Sequence, residues 1–322
     1  MATITPNLGH GMGSDWENKD WLHITVPELH RLQSYYPCLQ GSVKILWCSP
    51  RPFSSAVLIE VVQALASTGQ TNLHPYFIKR SHRSFRRAQD ILQEHAVLQH
   101  LASKNIPVAT LITSNCGQTA LEVGDWTYEV YEKAAGFDLY VDQQSWTPFF
   151  YTEHAAKVGS LLAKLHTAMQ DFPELHGRST RYLVSNQQLL ESENIVMAIQ
   201  QRIDNSPELS HYFADKNLDA VFLERIFQTH RKIKHVLQQV TKIWTHNDLH
   251  ASNLFWSTQS ADANITAVID FGLSDRNSAL YDLAITIERN FIDWLALEHT
   301  SQINVDRSEE RRVGKECLRL CR

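Results

Sequence analysis

Two histidines, an aspartate and two asparagines are close neighbours in residues 244–256, which have the sequence WTHNDLHASNLFW. Three of them, His246, Asp248 and Asn253, have the spacing H-x-D-x-x-x-x-N. Further along the chain, Asp270 ends the apolar run ITAVID and is followed by a phenylalanine and a glycine. A carboxylate that leaves a buried strand just before a glycine can project into a cleft, with backbone freedom beside it.

These residue types divide the work that phosphoryl transfer requires. Asn253 and Asp270 supply the hard oxygen ligands that Mg²⁺ prefers, with room left for waters and phosphates. Asp248 is then available to accept a proton from a substrate hydroxyl. Phosphoryl transfer uses a positioning base, metal ligands and a cation on the phosphates, so the pattern predicts this chemistry.

The cation is found independently, in the run YFIKR. Strand alternation places Phe77 and Lys79 on one face and Arg80 on the other. In the helical segment that follows, Glu94 comes three residues after Ile91, near the face that packs on the sheet. A buried lysine needs a partner, so we expect Lys79 and Glu94 to form an ion pair beside the nucleotide phosphates.

The order of the elements predicts two lobes. The runs VKILWC, SAVLIEVVQA and HPYFIKR are strands separated by turn residues, and SFRRAQDILQEHAVLQHLASKN is a helix with Ser84 as its N-cap. Two more strands follow, which gives the order β-β-β-α-β-β. After Gly136 the pattern becomes mainly helical. The fold class is therefore α+β.

At these residues the chain resembles the aminoglycoside phosphotransferase/choline kinase family. HNDLHASN resembles its catalytic loop, IDFGLSD its Mg²⁺-binding segment, and YDLA the start of the next helix, where Asp282 supports the loop. The resemblance implies a bilobal, protein-kinase-like fold, with an antiparallel N-lobe sheet, one major N-lobe helix and a mainly helical C-lobe.

The resemblance also implies roles. Asp248 is the catalytic base and His246 a brace of the same loop, while Asn253 and Asp270 bind Mg²⁺. Lys79 with Glu94 holds the phosphates of ATP, and in the hinge YEKAAG the backbone of Glu132 and Ala134 hydrogen-bonds the adenine. The implied activity is transfer of the γ-phosphoryl group of ATP to a hydroxyl of a small molecule.

One turn departs from the family pattern. The segment SPRPFSSAV, which is expected over the phosphates, contains no glycine. Ser54 and Ser55 offer hydroxyl and amide donors there instead, and we expect them to contact the nucleotide.

Other interpretations stay open at this point. His246, Asp248 and His250 alternate like ligands of a zinc hydrolase, although no second cluster of histidines and cysteines accompanies them. The segment could also be a polar turn between buried strands. A Ser/Thr protein kinase of the same superfamily, or a nucleotide-binding protein without turnover, has the same motifs.

Composition narrows the class of protein. The 322 residues carry a net charge of −5, which argues against general nucleic-acid binding, and no apolar run is long enough for a transmembrane helix. The five cysteines are scattered, and the N-terminus lacks a secretory pattern. We therefore expect a cytoplasmic protein with reduced thiols that binds neither nucleic acid nor membrane. The sequence indicates neither the oligomeric state nor the acceptor.

Changes in polarity, charge and secondary-structure pattern along the sequence predict four regions. Residues 1–40 form an N-terminal extension, 41–135 the N-lobe, and 136–305 the C-lobe with the catalytic loop. Residues 306–322 are highly charged and resemble a translated vector or adapter sequence, so we expect a non-native or solvated tail.

Overall fold

The computed structural model describes most of the chain. The described residues are 22–49, 55–64, 71–141, 143, 147–174, 176–179, 187–216 and 218–292. Ser54 and the predicted tail at 306–322 lie outside them, so those two predictions stay predictions.

A five-stranded antiparallel sheet forms the first lobe, in the spatial order β1-β2-β3-β5-β4. Its strands are β1 (Ser42–Cys48), β2 (Ser55–Ala64), β3 (Thr71–His82), β4 (Ala120–Val123) and β5 (Trp126–Glu132). The helix α2 (Ala88–Ser103) connects β3 to β4. The predicted order β-β-β-α-β-β is confirmed.

Helix α2 buries the predicted stripe, since Ile91, Leu98 and Leu101 are all buried. Its predicted start is wrong. Ser84 lies in a turn with its hydroxyl 2.6 Å from His82 Nδ1, and the helix begins four residues later. A serine that finds a local partner in the turn has no need to cap the helix.

A short helix, α1 (Val26–Leu32), covers one face of the sheet. Leu29 and Leu32 are buried in a cluster with Val57 and other inward residues of β2, β3 and β5. Beside them, Arg80 Nη1 donates to Glu28 Oε1 at 2.7 Å, with both side chains buried. The described part of the predicted N-terminal extension therefore packs as part of the N-lobe.

The second lobe is mainly helical, as predicted. Its elements are α3 (Thr152–Ala168), α4 (Ile195–Asp204), α5 (Pro207–Phe213), α6 (Ala220–Gln239), β6 (Lys242–Thr245), β7 (Leu254–Trp256), β8 (Ile265–Val268), β9 (Asp275–Ser278) and α7 (Ala279–Phe291). No helix in the described ranges has the length and hydropathy to cross a membrane.

Two small antiparallel ladders position the motifs. Strand β6 pairs with β9, and β7 pairs with β8. The H-x-D-x-x-x-x-N segment connects β6 to β7, and the IDFG segment connects β8 to β9. Each connection therefore runs from one ladder to the other. Because both cross between the same two ladders, the two motifs meet where the ladders adjoin.

The chain between the lobes is bonded to the second of these ladders. Phe137 N donates to Trp256 O at 2.7 Å, and Trp256 N donates to Phe137 O at 2.9 Å. Thr266 Oγ1 donates to Ala135 O at 2.6 Å. Gly136 has φ +95°, and a Cβ there would lie 2.5 Å from Trp256 O, so only glycine fits this crossing.

Candidate active site

The catalytic-loop backbone is held by one buried carboxylate. Asp282, near the start of α7, accepts from Asn247 N at 2.7 Å through Oδ1 and from His246 N at 3.1 Å through Oδ2. His166 Nε2 lies 2.9 Å from the same Oδ2. The structure thus gives Asp282 contacts that a solvated acid in the first turn of a helix does not have.

Charge on Asp282 is favoured despite its burial. Burial alone would raise the pKa of this carboxyl, but the hydrogen bond from His166, the nearby His246 and the Asn247 N–H outweigh it. The pKa of Asp282 is therefore below its ordinary value. An ionised carboxylate can accept all of these bonds, which fixes the turn that precedes Asp248.

Both ring nitrogens of His246 bond to backbone. Its Nδ1 accepts from Asp248 N at 3.2 Å, and its Nε2 lies 3.1 Å from Ile269 O. The ring, which is buried against Phe271, therefore links the catalytic loop to the residue before Asp270. This geometry fits a brace. It does not fit a zinc ligand, because a ligand nitrogen must be available to the metal.

Two residues of the loop and the metal segment have left-handed backbone. Asn247 has φ +64° and Asp270 has φ +61°. Asparagine and aspartate tolerate this region better than most residues do. The side chain of Asn247 compensates with bonds to Thr245 Oγ1 at 2.7 Å and Leu273 O at 3.0 Å.

A second residue of α7 also anchors the loop, and sequence reasoning missed it. Asn290 Oδ1 accepts from Ala251 N at 3.0 Å, and Asn290 Nδ2 donates to Leu249 O at 2.8 Å. Asn290 is fully buried. Eight positions separate it from Asp282, so the two lie on one face of the helix and hold the loop on either side of Asp248.

The side chain of Asp248 lies between two basic groups. Arg289 Nε is 3.5 Å from Asp248 Oδ1, and His250 Nε2 is 3.7 Å from Asp248 Oδ2. The Asp248 and Arg289 side chains are 17% and 21% exposed, so both reach solvent at this edge of the site. His250 thus lies beside the predicted base, and neither its position nor that of Arg289 follows from the spacing of the motif.

The predicted metal ligands fit a cation. Asn253 Nδ2 donates to Asp248 O at 2.9 Å, which turns the amide oxygen the other way. That oxygen, Asn253 Oδ1, is buried and has no hydrogen-bond partner among the described residues. An unmatched buried acceptor is unfavourable unless something such as a metal ion satisfies it. Ile269 N donates to Asn253 O at 3.0 Å, so the segment that carries Asp270 lies beside Asn253.

Lys79 has a different partner from the one expected. Its Nζ lies 3.1 Å from Asp270 Oδ1, and no ion pair between Lys79 and Glu94 is found within the described residues. Lys79 stands directly opposite Glu129 in the β3–β5 ladder, so these two share a face of the sheet. The predicted cation is therefore in the site, but the predicted Lys79–Glu94 pair is wrong for this structure.

Glu94 is instead held by two arginines. Arg86 Nη2 is 2.6 Å and Arg178 Nη2 is 3.1 Å from Glu94 Oε2, and all three side chains are largely buried. The physical reason is charge balance, because two guanidinium groups already satisfy the carboxylate and Asp270 satisfies Lys79. Sequence reasoning missed both arginines.

Next to Glu94, Glu129 completes a dense cluster of charges. Burial opposes its ionisation, but Arg86, the hydrogen bond from His95, and Lys79 together hold the pKa of Glu129 well below its usual range. Glu94, His95 and Glu129 offer ligand atoms within 4.8 Å of one another. Arg86 lies 2.6 Å from Glu94 and 3.8 Å from Glu129, and together with Lys79 it balances the charge of both carboxylates. This cluster is therefore an ion-pair network and not a second metal site.

Ser55 does not point towards the phosphates. It pairs with Arg80 in the β2–β3 ladder and so shares the face opposite to that of Lys79. Its hydroxyl is buried and accepts from Ile24 N at 3.1 Å. The expectation that the Ser55 hydroxyl serves the nucleotide is corrected by this geometry. Ser54 is outside the described residues.

The predicted hinge lies at the end of β5. Glu132 N donates to Thr110 O at 3.0 Å, so this amide is already used within the N-lobe. Ala134 is half-buried and follows directly in the crossing between lobes. Adenine recognition by Glu132 and Ala134 stays a prediction.

Comparisons with known proteins agree with this architecture. The phosphotransferase enzyme family matches residues 52–313. A homoserine kinase from Janthinobacterium sp. (strain Marseille) is 21% identical over 211 residues, which are 66% of this chain, and the chain spans 55% of that protein.

Among solved structures, an amicoumacin kinase in complex with AMP-PNP, Ca²⁺ and Ami has a TM-score of 0.55 at 15% identity, covering 90% of this chain and 75% of that one. An aminoglycoside phosphotransferase from Alicyclobacillus acidocaldarius has a TM-score of 0.45 at 17% identity, covering 87% and 78%. The first likeness shows the bilobal, kinase-like α+β fold. Since the family match spans most of the sequence, this chain belongs to the phosphotransferase enzyme family.

Proposed function

We propose that this protein is a small-molecule kinase, which transfers the γ-phosphoryl group of ATP to a hydroxyl of its acceptor. The observation that carries the proposal is the meeting of Asp248, Asn253 and Asp270 on two connected segments, with Lys79 bound to Asp270. The homoserine kinase and the amicoumacin kinase bear names of small-molecule kinases, which supports this class of acceptor.

In this proposal each residue has one task. Asp248 accepts the proton of the acceptor hydroxyl, and Asp282, His246 and Asn290 fix the backbone that carries it. Lys79 contacts the phosphates. Positioning and electrostatic stabilisation account for most of the catalysis of phosphoryl transfer.

Asn253 and Asp270 are the residues that would hold Mg²⁺. The unmatched Asn253 Oδ1 and the carboxylate of Asp270 are hard oxygen donors, as Mg²⁺ requires. When bound, Mg²⁺ neutralises phosphate charge and orients the nucleotide. With the metal held by Asp270, Lys79 would be available to contact the phosphates.

The acceptor side is defined by what lies around Asp248. Arg289 and His250 flank the base there. A hydroxyl must reach Asp248 past these groups. The acceptor itself is left to experiment.

The test is ATP consumption across a panel of amino alcohols, homoserine, methylthioribose and aminoglycosides, with purified protein and Mg²⁺. We expect turnover with at least one acceptor, and Asp248→Asn should abolish it while AMP-PNP still binds with little change. Turnover that survives Asp248→Asn contradicts the role of the base. Nucleotide binding without turnover on any acceptor favours a binding protein, and phosphorylation of protein Ser/Thr favours a protein kinase.

A further inference from the structure

A single arginine joins the two sides of the site. The Arg178 guanidinium donates to Gly272 O at 2.7 Å through Nη1, and through Nη2 to Asp90 O and Glu94 Oε2, both at 3.1 Å. The backbone N of Arg178 donates to Asp275 Oδ1 at 2.7 Å. The side chain is only 7% exposed.

These contacts belong to different lobes. Asp90 and Glu94 are in α2 of the N-lobe, whereas Gly272 and Asp275 follow Asp270 in the C-lobe. The planar guanidinium has donors fixed in a fork, so one side chain can bind both partners at set angles. Arg178 therefore bonds α2 directly to the segment that follows Asp270.

The ion pairs of the site are arranged consistently with this link. Glu94 is bonded to Arg178 and Arg86, and Lys79 is bonded to Asp270. In this arrangement the α2 glutamate has no direct ion pair with the phosphate-binding lysine among the described residues. Its contact with the catalytic machinery is through the arginines.

We propose that Arg178 is a positioning residue for the transfer reaction, which sets the place of the metal ligand Asp270 and couples it to α2 through Glu94. This inference rests on the proposed function, because it assumes that Asp270 binds the metal of a nucleotide complex. Arg178 acts through Gly272 and Asp275 and touches no reacting atom.

A double-mutant cycle tests the proposal, with the affinity for AMP-PNP in Mg²⁺ measured by calorimetry. Arg178→Met and Glu94→Gln should each weaken binding by about tenfold, and the double variant should be no weaker than about tenfold, because both break one link. In the cycle that combines Glu94→Gln with Lys79→Met, the two losses of AMP-PNP affinity should instead multiply, because these residues act independently.

The dependence on Mg²⁺ separates positioning from a general loss of stability. We expect Arg178→Met to raise the Mg²⁺ concentration needed for half-maximal AMP-PNP binding, whereas Lys79→Met should weaken nucleotide binding without that rise. If Arg178→Met does not fold, Arg178→Lys replaces it in every measurement, since it keeps the charge and loses the fork.

Arg80→Met is the matched control for Arg178→Met, and Arg80→Lys is the matched control for Arg178→Lys. Arg80 is also a buried arginine paired with a glutamate, but its partner is Glu28 on the opposite face of the sheet. Each Arg80 variant should lower the thermal unfolding temperature as the corresponding Arg178 variant does, with the Mg²⁺ dependence of AMP-PNP binding unchanged.

Two results overturn the inference, and they can be told apart. In the first result, the losses of AMP-PNP affinity multiply in the Glu94–Arg178 cycle, whereas those in the Glu94–Lys79 cycle do not. This result rejects the link through Arg178 and leaves the proposed function intact. If the unaltered protein does not bind AMP-PNP in Mg²⁺, the proposed function fails and the inference fails with it.

Discussion

Lys79 and Asp270 form an ion pair at 3.1 Å, and both side chains are partly exposed. This contact keeps a cation and a carboxylate together at the place where phosphates and a metal ion are proposed to bind. Each charge balances the other, so neither is left unpaired. In the proposed nucleotide complex, Asp270 would pair with the metal ion and Lys79 with the phosphates.

The first prediction concerns that lysine. Lys79→Met should lower kcat/KM for ATP by about 10²-fold, because it removes a charge that stabilises the transferred phosphoryl group. Steady-state kinetics over a range of ATP concentrations measure the effect. Lys44→Met is the control, since Lys44 is exposed on β1 of the same sheet and should leave the kinetics unchanged. Equal losses in the two variants would contradict the role of Lys79.

A second prediction at this scale concerns Asp282 and pH. The pKa of this carboxyl is lower in the folded protein than in the unfolded chain. Its contribution to stability is therefore fully present above the unfolded pKa of about 4 and is lost as pH falls through the folded pKa. The stability difference between the natural protein and Asp282→Asn should shrink as pH falls from 7 towards 3.

Urea unfolding at a series of pH values measures that difference. Asp215→Asn serves as the comparison, because Asp215 is exposed and makes no ion pair within the described residues. A difference for Asp282→Asn that stays constant over the whole pH range would show that its charge does not contribute to folding.

Single residues also show where sequence reasoning stops. His246, Asp248, Asn253 and Asp270 were identified because their spacing is local and their types match a chemistry. The partner of Glu94 could not be identified in this way, because Arg178 lies 84 positions away in a segment without a recognisable pattern. Which arginine reaches a buried glutamate is decided by tertiary packing, and periodicity carries no information about it.

At the scale of elements, α7 is the support of the catalytic loop. Asp282 holds the loop before Asp248 and Asn290 holds it after, both through backbone atoms of the loop. Backbone partners leave no trace in the sequence of the loop, which is why Asn290 escaped prediction. The strands and α2 were predictable because alternation and an apolar stripe report burial directly.

The third prediction tests this support. Asn290→Ala removes the bonds to Ala251 N and Leu249 O, so the loop loses its anchor after Asp248. We expect kcat to fall by about 10-fold to 100-fold while AMP-PNP binding changes little, since a small misplacement of a catalytic group is enough for such a loss.

Asn277→Ala is its matched control. Asn277 is likewise buried in the C-lobe and accepts from a backbone amide, but that amide belongs to Gln187 and not to the catalytic loop. Both variants should lower the unfolding temperature. If kcat falls equally in the two, Asn290 acts through stability alone.

For the whole molecule, the sheet of the N-lobe is covered on both faces. One face carries Lys79 and the site, and the other is packed under α1, with Leu29 fully buried. The predicted boundary at residue 40 follows a change from a polar segment to apolar, strand-like runs. Such a change in composition does not reveal that a preceding short helix packs back on the sheet.

The fourth prediction follows from this packing. Leu29→Ala should reduce the free energy of unfolding by about 2–5 kcal/mol, as large-to-small changes in a core do. Leu22→Ala is the control in the same segment, since Leu22 is 85% exposed and its truncation should change stability by less than about 0.5 kcal/mol. Chemical denaturation measures both, and equal effects would mean that α1 is not part of the core.

The crossing at Gly136 connects the predicted hinge to the hairpin that adjoins the predicted metal ligands. Phe137 is bonded to Trp256, the last residue of β7, and Asn253 directly precedes the first residue of that strand, about 10 Å away along an extended chain. The chain that would receive the purine and the residues that would receive the metal are thus hydrogen-bonded to, or adjoin, one hairpin formed by β7 and β8. If the purine and the metal bind as proposed, this hairpin sets the spacing between them.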